Sequence, residues 1–544
     1  MESNQFSLQG NIVDLKQERI FPGTITVAQG RIVAVREENV PCAHYIMPGL
    51  VDSHVHVESS MLPPAEFARL ATVHGTVAAV ADPHEIANVL GMAGIDFMLE
   101  NAAQSPFCFH FGAPPCVPAT PFETAGAELN VDHIEALLAD GRCGFLSEMM
   151  NFPGVLTADP QVTAKLAVAK RLGKVVDGHA PGLTGEAAQR YIGAGISTDH
   201  ECRTQAEARE KIRHGMQILI REGSAARDFD TLAPLIAEHA EMLMFCSDDL
   251  HPDDLLRGHI NQLVARAIAM GLEPLKVLRC ACLNPVHHYG LDLGLLQPGD
   301  RADFIVVESL TAMQVRQTYI GGRCCATAGQ PLLARVAAPN LNRFAAAKVD
   351  EHQLRVPAAA GNLRVMEAMD GQLVTNRLLL PPTVAQGLAV ADPSRDLLKL
   401  VVVNRYKPAP PVVAFIKGFG LQRGAIASSV AHDSHNILAV GATDADLCGA
   451  INAIIEAQGG ICAKGPDFTE VLPLAIAGLM TNADGHATAR AYTAVDARAK
   501  ELGSQLNAPF MTLSFMALLV IPALKLSDQG LFDGTNFRFV ELFA

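Results

Sequence analysis

The chain has 544 residues, of which 49% are apolar and 18% are charged, and its formal net charge is −15. This length exceeds what one hydrophobic core supports, so about two or three domains are expected. The acidic balance argues against nucleic acid or an anionic membrane surface as the main partner, because both bind through clustered lysine and arginine side chains.

The cysteines and the most apolar stretch indicate a cytoplasmic protein. The first residues, MESNQFSLQG, lack the basic and apolar segments of a signal peptide. The stretch FMTLSFMALLVIPALKL is short and interrupted by Pro522, so we expect it to be buried rather than to span a membrane. The twelve cysteines show no paired CxxC spacing, which favours reduced thiols over a zinc site. The absence of PCxxC excludes a zinc deaminase of the cytidine type.

Apolar strand-like runs alternate with helical patterns between residues 48 and 291. One helical pattern is DPQVTAKLAVAKRLG, with Asp159 as N-cap, Pro160 in the first turn and Gly173 just past the end. The strand-like runs are GLVDSHVHV, GTVAAVADPHE, FCFHFGAPP, CGFLSEMM, GKVVDGHAPG, AGISTDHE, MQILIREGS and EMLMFCSDD. These units predict an α/β fold with a (β/α)₈ TIM-type barrel, whose usual size is about 250 residues.

Two further domains are predicted on either side of this barrel. Short strands in GNIVDL and TITVAQGRIVAVREE, together with GLLQPGDRADFIVVE after the barrel, predict a small β-domain built from both flanks, residues 1–47 plus 292–345. Residues 360–544 are predicted to form an additional C-terminal α/β domain. That domain contains AHDSHN, residues 431–436, which could cover the barrel mouth and touch substrate, bind a further metal, or form an ordinary turn.

Ligand-type side chains stand at the carboxyl ends of the strand-like runs. His54 and His56 are two residues apart in the first run, so they point to the same face of a strand. His179 and His200 end the fifth and sixth runs, and Asp248 ends the eighth. A barrel brings these ends together at one face. Such a set is too large for one tetrahedral ion that also holds water, and it suits a pair of metal ions.

A pair of metal ions needs a bridging anion, and the fourth run offers Glu148 in GFLSEMM. Other interpretations of the carboxylates remain. Asp248, like its neighbour Asp249, could be a helix N-cap, and Glu148 could be a simple strand-end carboxylate. A single histidine in a strand is also often a structural residue. The recurrence of these residue types at strand ends favours the metal site.

The motifs resemble those of a known superfamily. PGLVDSHVHVESS resembles the first metal motif of the amidohydrolase superfamily, and GDRADFIVV is similar to its usual C-terminal return. HVHVESSM, ADPHEIANV, SEMMNFPGV and GAIASSVAHDSHNI together resemble the bacterial adenine deaminases over nearly the whole chain. Glu148 stands where many binuclear relatives place a carboxylated lysine, and Lys174 lies at the wrong end of its strand. The resemblance therefore implies that Glu148 bridges the metals without carbamylation.

The resemblance implies metal-dependent hydrolysis of adenine to hypoxanthine and ammonia, a reaction of purine salvage. The cofactor it implies is a pair of Mn²⁺ ions per chain, with Fe²⁺ or Zn²⁺ as alternatives, consistent with ligands that include no thiolate. A hydroxide held between the metals is expected to attack C6 of adenine. Asp248 would take the proton of the hydroxide and pass it to the departing amine.

Two other carboxylates are candidates for contacts to the purine. Glu85, in the DPHE that ends the second run, is the candidate general acid for the ring nitrogen beside C6. The alternative is that Glu85 is only a favourable first-turn carboxylate of the helix EIANVLGMAGIDFMLE. Glu222, in the REGS that ends the seventh run, is the candidate substrate contact.

Rival functions come from two classes. One is another amidohydrolase-superfamily hydrolase that acts on a cyclic amide or an N-acyl substrate. The other is a metal-dependent binding protein that has lost catalysis, which the filled ligand positions and the presence of Asp248 disfavour. The expected partner is the small molecule adenine, and a homodimer is the candidate oligomeric form.

Overall fold

The computed structural model describes residues 5–39 and 41–544. Strands from both flanks of the chain form one eight-stranded sheet, with Gln5–Asp14 antiparallel to Arg19–Ala28 and parallel to Tyr45–Pro48. In spatial order its strands are Gln330–Pro331, Arg323–Thr327, Val315–Ile320, Phe304–Val307, Tyr45–Pro48, Gln5–Asp14, Arg19–Ala28 and Arg31–Glu37. The sheet therefore joins segments that are about 250 residues apart in the sequence.

This flank sheet has its own small core. Phe21, Ile25 and Val27 are buried at alternate positions of one strand, as expected for a sheet with one covered face. Phe304 and Tyr319 stack within the same core, with 4.6 Å between ring centroids.

Each predicted strand-like run between residues 48 and 291 contains a parallel strand. The first five strands form one sheet and the last three another, and a parallel bridge between Val55 and Asp248 joins the first strand to the end of the eighth. In chain order the strands are Leu50–Val55, Thr76–Ala81, Cys108–Ala113, Phe145–Met149, Val176–Gly178, Thr198–Asp199, Gln217–Arg221 and Leu243–Cys246.

Helices cover the parallel strands, which are buried on both faces. The helix Pro160–Arg171 begins as predicted, because the Asp159 side chain accepts hydrogen bonds from the backbone N–H groups of Gln161 and Val162. The other α-helices are Pro64–Val73, His84–Leu90, Met92–Ala102, Val131–Ala139, Phe152–Thr157, Gly185–Gly193, Gln205–Arg213, Phe229–Leu232, Ile236–His239, Pro252–Arg257, Ile260–Ala269, Pro274–Leu278 and Asn284–Tyr289.

The C-terminal region is built on a second eight-stranded sheet. In spatial order its strands are Asn376–Leu380, Leu363–Glu367, Val412–Lys417, Leu398–Val403, Ile437–Gly441, Ala425–Ser428, Gly460–Lys464 and Thr469–Pro473. Two smaller sheets comprise Val356–Pro357, Leu388–Val390 and Thr383–Ala385, and Leu524–Ser527, Gly530–Asp533 and Arg538–Phe539. The α-helices of this region are Asp444–Ala457, Gly485–Glu501 and Pro509–Ser514.

The C-terminal region packs directly on the parallel strands and their helices. One buried apolar cluster contains Phe67 next to the parallel strands and both Met480 and Phe515 from the C-terminal region. The backbone N–H of Thr481 donates to the carbonyl of Met61 at 2.9 Å. The most apolar stretch of the sequence is buried in this packing, and within residues 5–39 and 41–544 no helix has the length and apolarity needed to cross a membrane.

Candidate active site

The six side chains predicted as metal ligands converge at the carboxyl ends of the parallel strands. His54 lies in the first strand and His56 follows its end in an extended conformation, so the two side chains, two residues apart, lie on the same face. All of these side chains are buried, and they are His54, His56, Glu148, His179, His200 and Asp248.

Glu148 lies between two groups of histidines. Its Oε1 is 3.2 Å from Nε2 of His56 and 3.9 Å from Nε2 of His54. Its Oε2 is 2.8 Å from Nδ1 of His179 and 3.4 Å from Nε2 of His200. One carboxylate therefore presents a separate oxygen to each histidine pair, which is the arrangement that a bridging ligand requires.

Asp248 closes the first of these groups. Its Oδ1 is 3.1 Å from Nε2 of His56 and 3.5 Å from Nε2 of His54. Its Oδ2 accepts a hydrogen bond from Arg221 at 3.0 Å. Asp248 has a left-handed φ of 56°, a conformation that costs a non-glycine residue free energy and is often kept at functional sites. The backbone is thus held in the conformation that directs this carboxylate at the histidines.

Electrostatics keep the two carboxylates in their anionic form. Burial acts to raise the pKa of Glu148, but hydrogen bonds and charge from His179, His56 and His200 hold this pKa well below its ordinary value. Burial likewise acts to raise the pKa of Asp248, but hydrogen bonds from His54 and the charge of Arg221 hold it well below its ordinary value. Anionic oxygen donors beside imidazole nitrogens suit divalent cations.

A backbone carbonyl fixes the orientation of His56 on the side away from the carboxylates. Its Nδ1 lies 3.2 Å from the backbone carbonyl oxygen of Asp82 and donates to it, so that Nε2 faces Glu148 and Asp248. Metal-binding histidines are commonly held in this way by a backbone carbonyl.

Two buried residues that the sequence analysis missed belong to the same cluster. Glu201 places Oε1 3.7 Å from Nδ1 of His179 and 3.6 Å from Nε2 of His200. Arg221 forms ion pairs with Glu201 and Asp248 and so links the two ends of the cluster. The available signal in the sequence was that Glu201 directly follows His200. The sixth strand ends at Asp199, so the alternation of faces no longer separates these two neighbouring side chains.

Glu222, the predicted substrate contact, lies outside this cluster. Its carboxylate forms an ion pair with Arg266 and lines a separate cavity with Arg227 and Asp254. The physical reason is the alternation of side chains along an extended chain, since Arg221 points toward Asp248 and the next residue points away. The inward-facing residue at the end of the seventh strand is therefore Arg221.

Glu85 lies at the start of a helix and beside the ligand cluster. It lies in the first turn of the helix His84–Leu90, and its buried carboxylate also faces the cavity beside the ligand cluster. Nδ1 of His432 is 2.5 Å from its Oε1, and His435 donates to its Oε2. Burial acts to raise the pKa of Glu85, but the charges of His432, His84 and His435 hold it well below its ordinary value.

His84 connects Glu85 with the ligand cluster. Its Nε2 is 3.3 Å from Oε1 of Glu85 and 3.7 Å from Oδ1 of Asp433, and its Nδ1 is 3.5 Å from Oε1 of Glu148. His84 belongs to the DPHE motif, for which only Glu85 was predicted to have a role. Its position next to Glu85 in the first helical turn was the available signal.

The C-terminal region forms the roof of the cavity. The roof residues are Leu373, His432, Asp433, Phe515 and Leu518, and they face Glu85, Glu148, Asp248 and the histidines below. The loop that carries His432 and His435 connects the paired strands Ala425–Ser428 and Ile437–Gly441. Of the three interpretations of AHDSHN, its place over the strand ends favours the first, a segment that covers the site.

Comparison with known proteins gives matches over the whole chain. Residues 45–325 match the family model described as "Amidohydrolase family", and residues 372–538 match the model described as "Adenine deaminase C-terminal domain". The chain is 54% identical to an adenine deaminase of Salinibacter ruber over 99% of both chains. It is 53% identical to an adenine deaminase of Methanosarcina barkeri, over 98% of this chain and 99% of the relative. Because this second relative is archaeal, the resemblance is not confined to bacteria.

Proposed function

The chain belongs to the adenine deaminase family of the amidohydrolases, and from this premise we propose that it hydrolyses adenine to hypoxanthine and ammonia. The observation that carries the proposal is the buried cluster of four histidines and two carboxylates, with Glu148 spanning two histidine pairs. The roof over this cluster comes from the region that matches the adenine deaminase C-terminal domain.

The donor set fits a pair of divalent ions, for which we propose Mn²⁺. Imidazole nitrogens and carboxylate oxygens converge without any thiolate, which suits Mn²⁺, Fe²⁺ or Zn²⁺. When bound, the ions supply a water of lowered pKa at the centre of the cluster. His54, His56, His179, His200, Glu148 and Asp248 would hold them.

The residues around this centre have separate tasks in the proposed reaction. Asp248 accepts the proton of the attacking water and passes it to the amine that leaves C6. Its anionic form and its anchoring by Arg221 suit a group that must start as a base. Glu85 also lines this cavity, and we propose that the ring nitrogen beside C6, which gains charge during attack, lies toward it. Glu85 is the candidate for directing a proton to that nitrogen.

We also propose that the two parallel sheets form one (β/α)₈ barrel, residues 48–291. The bridge between Val55 and Asp248 supports closure of the barrel between its first and eighth strands. The proposed β-domain, residues 1–47 plus 292–345, agrees with the mixed origin of the flank sheet. The proposed C-terminal domain is residues 360–544.

All twelve cysteines are free thiols, which supports the proposal of a cytoplasmic enzyme. A homodimer remains the proposed oligomer.

The experiment that tests the function follows adenine directly. Enzyme produced with added Mn²⁺ and little iron is mixed with adenine, and ammonia release is measured together with the absorbance change from adenine to hypoxanthine. Equal amounts of both products support the proposal. Absence of ammonia, with hydrolysis of cyclic amides or N-acyl compounds instead, would reject adenine as the substrate and retain the hydrolytic site.

A further inference from the structure

We infer that His432, supplied by the C-terminal region, is the group that donates a proton to the purine ring, and that Glu85 is the residue that positions it. The inference rests on the proposed deamination and adds to it the identity of the acid. It also gives the C-terminal region a chemical role, because the proton donor would come from the roof rather than from the parallel strands.

The geometry is that of a carboxylate–imidazole dyad. Nδ1 of His432 lies 2.5 Å from Oε1 of Glu85 in an ion-pair contact, and the imidazole stacks on Phe515 with 4.7 Å between ring centroids. Nε2 of His432 is buried, lies in a side chain that lines the cavity, and has no hydrogen-bond partner among the described residues. A histidine held at one nitrogen by a carboxylate and free at the other is arranged for proton transfer.

The neighbouring histidine shows why Glu85 acts as an acceptor. Nδ1 of His435 accepts the backbone N–H of Ala431 at 3.2 Å, so the proton of its imidazole is on Nε2. That nitrogen donates to Oε2 of Glu85. Oε2 of Glu85 therefore accepts a hydrogen bond from His435, and Oε1 forms an ion pair with His432. A carboxylate in this state holds no proton to give, so the proton that reaches the ring must come from an imidazole.

The charges around His432 favour its protonated form. The carboxylates of Glu85, Asp249 and Asp433 face it, and the imidazoles of His251 and His435 also lie near it. Burial acts to lower the pKa of His432, but the charge of Glu85 followed by that of Asp249 raises it to about 9. The imidazolium is therefore the main form near neutral pH.

The proton balance of the reaction closes with this donor. As the water oxygen bonds to C6, Asp248 takes one water proton, the electron pair of the C6–N1 double bond moves to N1, and His432 protonates N1. Asp248 then gives its proton to the amine, the C6–N bond breaks and ammonia leaves. The C6 carbonyl forms as the remaining hydroxyl proton is lost, and that proton returns to His432 through solvent. Hypoxanthine keeps the proton on N1.

The test compares turnover with the binding of an analogue that cannot accept the proton. In 1-deazaadenine the ring nitrogen N1 is replaced by CH. We expect His432→Gln to lower kcat/KM for adenine by about a hundredfold or more. The equilibrium dissociation constant of 1-deazaadenine should change by less than about threefold. The bound metal should be unchanged. His288→Gln is the matched control, because His288 bonds to Ser197 outside the cavity.

Two results would overturn the inference. One is adenine turnover by His432→Gln close to that of the wild type. The other is a loss of 1-deazaadenine binding as large as the loss of turnover, which would indicate a structural or binding role. Wild-type enzyme that fails to deaminate adenine would reject the proposed function together with this inference, whereas wild-type turnover with an active variant rejects the inference alone.

A second variant keeps the test valid if His432→Gln does not fold. Glu85→Gln keeps the size of the side chain and removes the negative charge beside Nδ1 of His432. An acid must be protonated to act, so activity is lost as pH rises through the pKa of His432, which is about 9 with Glu85 ionised. The variant should lose activity at a clearly lower pH than the wild type. An unchanged basic limb of the pH profile would overturn the positioning role of Glu85.

Discussion

At the scale of single residues, the site depends on carboxylates that are buried and kept anionic. Glu148 has the most specific position, because each of its oxygens faces a different histidine pair. Arg221 balances the negative charge from behind by pairing with Glu201 and Asp248. Such a buried cluster is costly without compensating charge, which makes a structural role alone a poor explanation for it.

Replacing Glu148 tests the proposed bridge. Glu148→Gln keeps the size of the side chain and removes its charge, so we expect metal content per chain to fall. Turnover of adenine should fall by more than the roughly 100-fold that is typical of residues that only orient a ligand. Metal analysis and adenine assays on the same sample check both outcomes.

Glu222→Gln is the matched control for that variant, because Glu222 pairs with Arg266 in a separate cavity. It should keep both the metal content and the turnover of the wild type. A Glu148→Gln enzyme that also keeps both would contradict the bridging role.

The residue types of the site could be predicted from the sequence, and their neighbours only in part. His54 and His56 were predictable because they are two residues apart and the chain stays extended from the first strand through His56. The same rule, applied without knowing where the seventh strand ends, led to Glu222 instead of Arg221. Glu201 was missed because it follows His200 beyond the strand, where alternation gives no guidance.

At the scale of secondary-structure elements, local sequence signals predicted where helices and strands begin, and which type they are, better than they predicted which strands pair. The N-cap at Asp159 and the parallel strands lie where the sequence placed them, because capping and apolar runs are local properties. The pairing of Tyr45–Pro48 with Phe304–Val307 is not local, and the sequence predicted it only as a shared β-domain built from strands of both flanks. Long-range strand pairing depends on packing that no short window contains.

Asp159 offers a test of element stability that should leave the chemistry untouched. Asp159→Ala removes the acceptor for two backbone N–H groups at the start of the helix Pro160–Arg171, so the free energy of unfolding should fall by about 1 kcal/mol. Denaturant unfolding measures this change, and adenine turnover should be unaltered. Gln161→Ala, an exposed substitution in the same helix, is the control and should change stability much less. Equal stability of the two variants would show that the cap contributes nothing.

At the scale of the whole molecule, the site is assembled from segments far apart in the chain. Glu85 and His435 are 350 positions apart and share a hydrogen bond. The sequence identified AHDSHN as unusual but left three interpretations open, because nothing local indicates which surface a loop will cover. Its role as a cover of the site follows only from the packing of the C-terminal region on the parallel strands.

Metal binding should stabilise the whole molecule. Without metal, the buried histidines and carboxylates of the cluster lose the cation that their charges favour, so a chelator should lower the melting temperature. With free metal about 1,000-fold above its Kd, the gain from one site is about 4 kcal/mol. Calorimetry before and after chelation, followed by Mn²⁺ addition, checks this expectation. A melting temperature that does not respond to metal would argue that the cluster is not a metal site.

Titration of metal-free enzyme with Mn²⁺ tests whether adenine deamination requires a binuclear centre. Adenine turnover is measured at each addition, with bound metal counted on the same samples. We expect activity to rise until a pair of ions is bound per chain and then to stay constant. Full activity with a single ion per chain, or a filled pair without adenine turnover, would contradict this expectation.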